Sequence, residues 1–136
     1  MRSVPETPSD SEAVTRGIRV NVHSRYVPER SRPMMNEFFF AYTIRISNEG
    51  RETVQLVSRA WHITDAEGHV EEVRGPGVVG EQPVLAPGEA FEYTSACPLT
   101  TPFGSMHGTY QMVTEGGARF DAEIARFQLA EPFALN

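Results

Sequence analysis

The sequence predicts an all-β domain, an antiparallel β-sandwich of about seven strands. Apolar residues recur with a period of two along most of the chain. Clusters of Gly, Pro, Asn and Asp interrupt those runs at short intervals. No window of helical length combines a 3.6-residue apolar period with capping residues. A small β-barrel is the competing architecture.

Residues 1–14, MRSVPETPSDSEAV, carry Pro, Ser, Glu and Asp with little to bury. They are expected to form a mobile tail, with the domain proper over residues 15–136. In RGIRVNVHSRY, Ile18, Val20, Val22 and Tyr26 share one face, and Arg19, Asn21, His23 and Arg25 the other. That is a strand with one face on a core and one in water. A loop with Pro28 and Pro33 follows. In FFFAYTIRISNEG, Phe38, Phe40, Tyr42, Ile44 and Ile46 line one face, and Asn48-Glu49-Gly50 ends the run with turn chemistry.

The next strand changes phase. Val54 and Leu56 keep one register, and Val57, Trp61 and Ile63 the other, which calls for a bulge or a change of partner. Trp61 suits the space between two sheets. A turn at residues 65–68 leads to a short strand at 69–73, then to a Gly- and Pro-rich connection over 74–89. Phe91, Tyr93 and Ser95 alternate with Glu92, Thr94 and Ala96. Residues 98–104 read as a loop. Strands at 108–114 and 118–129 flank Glu115-Gly116-Gly117, a hairpin turn.

Composition narrows the function. The chain of 136 residues suffices for one domain with a core. Its formal net charge is -6, and all 12 basic residues are Arg. An acidic balance argues against nucleic acid and against an anionic membrane surface as partners. No apolar stretch reaches the length of a membrane span, and the first residues lack a signal-peptide core, so a cytoplasmic protein is expected. Cys97 is the sole cysteine, which excludes an intrachain disulfide and a multi-thiolate zinc site.

The segment RGPGVVG holds Arg74, Gly75, Gly77 and Gly80 and fits the G-x-G-x-x-G pattern of dinucleotide loops. Such loops need a helix N-terminus facing the pyrophosphate. Here Pro83, Pro87 and Gly88 follow, and no helix can form. What survives is a backbone nest for a weakly held phosphate or pyrophosphate, assisted by Arg74. Against it stands a structural role, with glycines where φ is positive or backbones approach closely.

Other clusters carry less. His23, His62, His69 and His107 share no strand face at i, i+2 spacing, so no metal site is expected. Glu71 and Glu72 are adjacent and point to opposite faces of a strand. Ser95, Ser105 and His107 lack a nucleophile elbow. Phe103 and Met106 read as apolar plugs over a sandwich end or as an exposed contact patch. No catalytic residue emerges.

Several phrases resemble the ApaG family: FFFAYTIRISNEG, LVSRAWHITDAEG, VRGPGVVGEQPVLAPGEAFEYTSACPLTTPFGSMHGTYQM and FDAEIARFQL, in order over residues 15–129. The resemblance implies an immunoglobulin-like, fibronectin type III-like sandwich. It implies a small bacterial protein of unresolved biochemical role, linked genetically to cobalt and magnesium homeostasis, with no catalytic residues and no cofactor to carry over. Eukaryotic domains of this kind look like partner-binding modules. The family's proposed pyrophosphate motif falls on Gly75, Gly77 and Gly80. Residues and resemblance together lead to a non-enzymatic, protein-binding role. The alternative is a weak phosphate- or nucleotide-binding role at the GPGVVG loop.

Overall fold

A computed structural model describes residues 9–132. Nine strands run in the order β1(Asp10–Thr15), β2(Ile18–Tyr26), β3(Phe38–Asn48), β4(Val54–Asp65), β5(Val70–Pro76), β6(Val84–Leu85), β7(Ala90–Leu99), β8(Phe103–Thr114) and β9(Arg119–Ala130). Single 3₁₀ turns at Pro28–Arg30 and Pro33–Met35 fill the β2–β3 connection. One sheet has the order β1-β2-β3-β7. The other has the order β5-β4-β8-β9, with β6 also paired to β4. Every pairing is antiparallel. Two separate sheets make this a sandwich, as the alternation predicts, and not a closed barrel.

The inward faces are those read from the sequence. Ile18, Val20, Val22, Phe38, Phe40, Tyr42, Ile44, Ile46 and Trp61 are all buried. Period-two patterning achieves this because successive side chains of a strand point to opposite faces. Trp61 sits between the sheets, with ring centroids 5.5 Å from Tyr42, 6.5 Å from Tyr110 and 6.0 Å from Phe127. The hydroxyls of Tyr93 and Tyr110 meet at 2.5 Å and join the two sheets through the core. The phase change in β4 is a bulge between Leu56 and Ser58 in the pairing with β8, combined with a change of partner from β6 to β5 on the other edge.

Four expectations are corrected. Residues 10–14, assigned to the tail, form most of β1, while residues 1–8 lie outside the described residues. Strand β1 escapes an apolar pattern because it is a polar edge. It is held by the ladder to β2 and by two hydrogen bonds to β9: Ser11 Oγ to Ala125 O, 2.8 Å, and Glu123 N to Thr15 Oγ1, 3.0 Å. Among the described residues the strands number nine and not about seven, because β1 and the two-residue β6 are too polar or too short to show. Arg74 and Gly75 belong to β5 and not to the connection after it, because the ladder to β4 continues through Ser58 and Pro76. The loop expected at 98–104 is shortened by the ends of β7 and β8.

The contacts of β1 and β2 with β9 close one side of the sandwich. On the other side, among the described residues, β7 and β5 end their sheets without a further strand. The candidate site lies on this second side.

Candidate binding cleft

Strand β4 places Arg59 and Trp61 on the same face, two residues apart. After the bulge that face is the inner one, so Arg59 is a cation set on the core side of its sheet. It is half-buried. Its register partner on β5 is Gly75. A Cβ at position 75 would stand 3.1 Å from both Nη atoms of Arg59, so glycine is what leaves room for the guanidinium. Nη1 donates to Pro76 O at 2.9 Å and to Gly77 O at 2.8 Å. Nε and Nη2 have no protein acceptor among the described residues, and neither is a buried unsatisfied atom, so both reach solvent.

They open onto a cleft of about 420 Å³ between the sheets. Tyr42, Tyr93 and Ser95 line one wall, from β3 and β7. Arg59, Trp61 and Pro76 line the other, and Val78, Val79 and Gly80 form the lip. Among the described residues no acidic side chain lines it. Burial raises the hydroxyl pKa values of Tyr42, Tyr93 and Tyr110, and Arg59 pulls each back only in part. The phenols are therefore neutral donors at physiological pH.

The lip is a tight hairpin turn. Val78 and Glu81 exchange backbone hydrogen bonds of 2.8 Å in both directions. The two residues between them, Val79 (φ 42) and Gly80 (φ 81), both have positive φ. This is the type I′ pattern. Val78 is buried and pins the turn to the core. Gly77 has φ +59, and a Cβ there would meet Glu81 O at 2.3 Å. Its amide donates to Val57 O at 2.8 Å. The amides of Gly77, Val78 and Glu81 are thus committed inside the fold, which leaves those of Val79 and Gly80.

Arg74 sits apart from this arrangement. Its register partner is Ala60, on the outer side of the sheet. Its exposed Nε lies 3.9 Å from Glu72 Oε2. Arg59 is the cation that serves the glycine turn. Composition gives no hint of this, because only the β4–β5 register brings residues 59 and 75 together.

The histidines also differ from their sequence spacing. His62 and His107 are register partners on the outer face of the β4–β8 pair, stacked with centroids 4.9 Å apart and planes 10° apart. Glu72 Oε1 lies 3.5 Å from His62 Nδ1. Partial burial, then Arg126 and His62, hold the His107 pKa below its usual value, against Glu123. His23 and His69 lie elsewhere, beside Asp10 and Asp65. Among the described residues, no three His, Cys, Asp or Glu side chains stand where they could hold a metal ion. Burial pushes the Cys97 thiol up to about 12. Ser105 Oγ accepts a hydrogen bond from Arg126 Nη1 at 2.8 Å, and Met106 is buried while Phe103 is half-buried. No helix among the described residues is long and apolar enough to cross a membrane.

Comparison with known proteins places this geometry in a family. The profile of the ApaG domain matches residues 28–114. The Protein ApaG of Anaeromyxobacter sp. (strain K) is 60% identical over 126 residues, which cover 93% of this chain and 99% of that protein. The Protein ApaG of Beijerinckia indica subsp. indica is 57% identical over 121 residues, 89% of this chain and 93% of that one. A crystal structure of an ApaA protein from Bordetella pertussis superposes with a TM-score of 0.83 at 53% identity, over 95% of this chain and 99% of that chain. The C-terminal domain of wzt shares the fold alone, with a TM-score of 0.55 at 11% identity over 94% of this chain and 81% of that one.

Proposed function

The chain belongs to the ApaG domain family, and on that premise we propose that it is a non-enzymatic protein-binding module whose partner lays an extended segment along the free edge of β7. The single observation that carries this reading is a ten-residue edge strand bordering an open, aromatic-walled cleft.

The hydrogen-bonding phase of that edge follows from the ladders. Val27 N donates to Phe39 O, so odd-numbered residues of β3 bond toward β2 and even-numbered ones toward β7. The β3–β7 register then turns the backbone of Phe91, Tyr93, Ser95 and Cys97 toward β3. The amides of Glu92, Thr94 and Ala96 point off the edge. Added strands pair with such rows, and pockets beside them read alternate side chains. Tyr, Trp and Arg, which surround the cleft, are the residue types that dominate binding energy at interfaces. An enzymatic role has less support. The Cys97 thiol is protonated and buried, and the histidine pair lies on the outer face of its sheet, away from the tyrosines. Any effect on cobalt or magnesium homeostasis would then run through the partner.

The test is site-directed photo-crosslinking in the native cell. A benzophenone amino acid at Thr94 is expected to capture a discrete partner, and one at Arg119 is expected not to. Thr94→Pro removes one outward N–H and leaves the β3 ladder intact, so it should abolish capture by a probe placed at Ala96. Equal capture from Thr94 and Arg119 would sink the reading.

A second reading has one observation in its favour. The amides of Val79 and Gly80 stand free next to the Arg59 guanidinium, which suits a small phosphate-type anion. Titration with pyrophosphate, followed by amide NMR, decides it. Saturable shifts confined to residues 74–80 support it, and unmoved resonances at high ligand overturn it.

A further inference from the structure

We infer that the cleft beside β7 is a socket for one acidic side chain of the partner segment, with the free Nε–H and Nη2–H groups of Arg59 as its carboxylate receptor. This rests on the protein-binding reading above and adds the chemistry of the ligand.

Arg59 is a cation on the core side of a sheet, with its guanidinium fixed rather than swinging in water. Two of its donors are anchored on Pro76 O and Gly77 O. That anchoring holds the remaining donors in place, and preorganisation of this kind favours bidentate recognition of a planar carboxylate. No Asp or Glu forms an ion pair with Arg59 among the described residues, and none lines the cleft. Among the described residues the half-buried charge therefore lacks its complement. The chain as a whole is acidic, so this local excess of positive charge is set against the overall balance.

The topology supplies the complement's route. Residues side by side on adjacent strands point to the same face of a sheet. A partner residue lying beside Tyr93 or Ser95 would point inward, because those two residues do. Inward at that place is the cleft, with Arg59 on the opposite wall. The aromatic walls of Tyr42, Trp61 and Tyr93 suit the methylene stem, and the hydroxyl of half-buried Ser95 adds a polar contact. A volume of about 420 Å³ holds one such side chain with some water.

The experiment uses the intact chain as bait for a displayed library of random octapeptides. Binders that lose affinity on Thr94→Pro are classed as edge binders. Among these, Glu or Asp is expected at a single position. Its replacement by Gln or Asn in a synthetic peptide should weaken binding about 10- to 100-fold, the usual range for a charge-assisted hydrogen bond. On Arg59→Gln protein the acidic and amide peptides should bind alike. The acid-to-amide comparison is made on unaltered protein, so it does not depend on the folding of that variant. Edge binders with no acidic preference would overturn the socket and leave the protein-binding reading intact. If no peptide depends on Thr94, both are overturned.

Discussion

Arg59 and Gly75 face each other across β4 and β5, and the guanidinium of one occupies the volume that a side chain of the other would need. Gly in a strand interior ordinarily costs stability relative to Ala, by roughly 0.5–1 kcal/mol. Gly75→Ala is nevertheless expected to destabilise, by about 1 kcal/mol, because it pushes Nη1 off the carbonyls of Pro76 and Gly77. In an Arg59→Ala background the same change should become neutral or stabilising. A double-mutant cycle by denaturant titration reads the coupling. Additive effects would mean that the two residues do not share that space.

Val79 is a β-branched residue in a left-handed conformation, and it is exposed. Such a backbone costs an L-residue roughly 1–2 kcal/mol, and Asn-Gly is the favoured pair in this turn type. Val79→Asn should therefore raise the midpoint of thermal unfolding by a few degrees. It should at the same time weaken capture of the partner, because the apolar lip of the cleft is lost. A stabler protein with unchanged partner capture would show that the valine is not there for binding.

The fold's main strands were legible for a simple reason. In β2 and β3, strong apolar side chains from Ile18 to Ile46 keep a strict alternation, and burial follows it. Strand β1 was not legible, since Ser11 and Thr15 hold it to β9 by hydrogen bonds, which leave no hydrophobic period. The glycines at 75, 77 and 80 stand out in the sequence, but their partners do not. Arg59 meets Gly75, and His62 meets His107, only through strand register. Register is a property of the assembled sheet.

The stacked pair of His62 and His107 predicts an acid-sensitive stability. Folding lowers the His107 pKa below its ordinary 6.5, so the unfolded chain binds more protons in that range and stability rises with pH. The contribution is present above about pH 6.5, begins to fall as pH drops through that value, and is lost below the folded-state pKa. The groups facing the ring are Arg126, His62 and Glu123, with Glu72 beside His62. His107→Gln should flatten the decline in urea midpoints measured from pH 7.5 downward. An unchanged slope would refute the assignment.

Cys97 should be inert in the native protein. Its pKa is raised from 9.0 to about 12 by burial, which cuts the thiolate fraction about a thousandfold at pH 8. Iodoacetamide labelling followed by mass spectrometry is expected to be slow in buffer and fast in 6 M-class denaturant. Comparable rates in the two conditions would place the thiol at the surface.

The hydrogen bonds from Ser11 to Ala125 and from Glu123 to Thr15 span sequence separations of 114 and 108. During synthesis, β1, β2 and β3 leave the ribosome long before β9 exists to cover them. At roughly 5–20 residues per second, that interval is on the order of ten seconds. For its duration the apolar face built on Val20, Phe40, Ile44 and Ile46 lacks the cover that β9 supplies. The closed side of the sandwich needs both ends of the domain, so it can be completed only once β9 has been made.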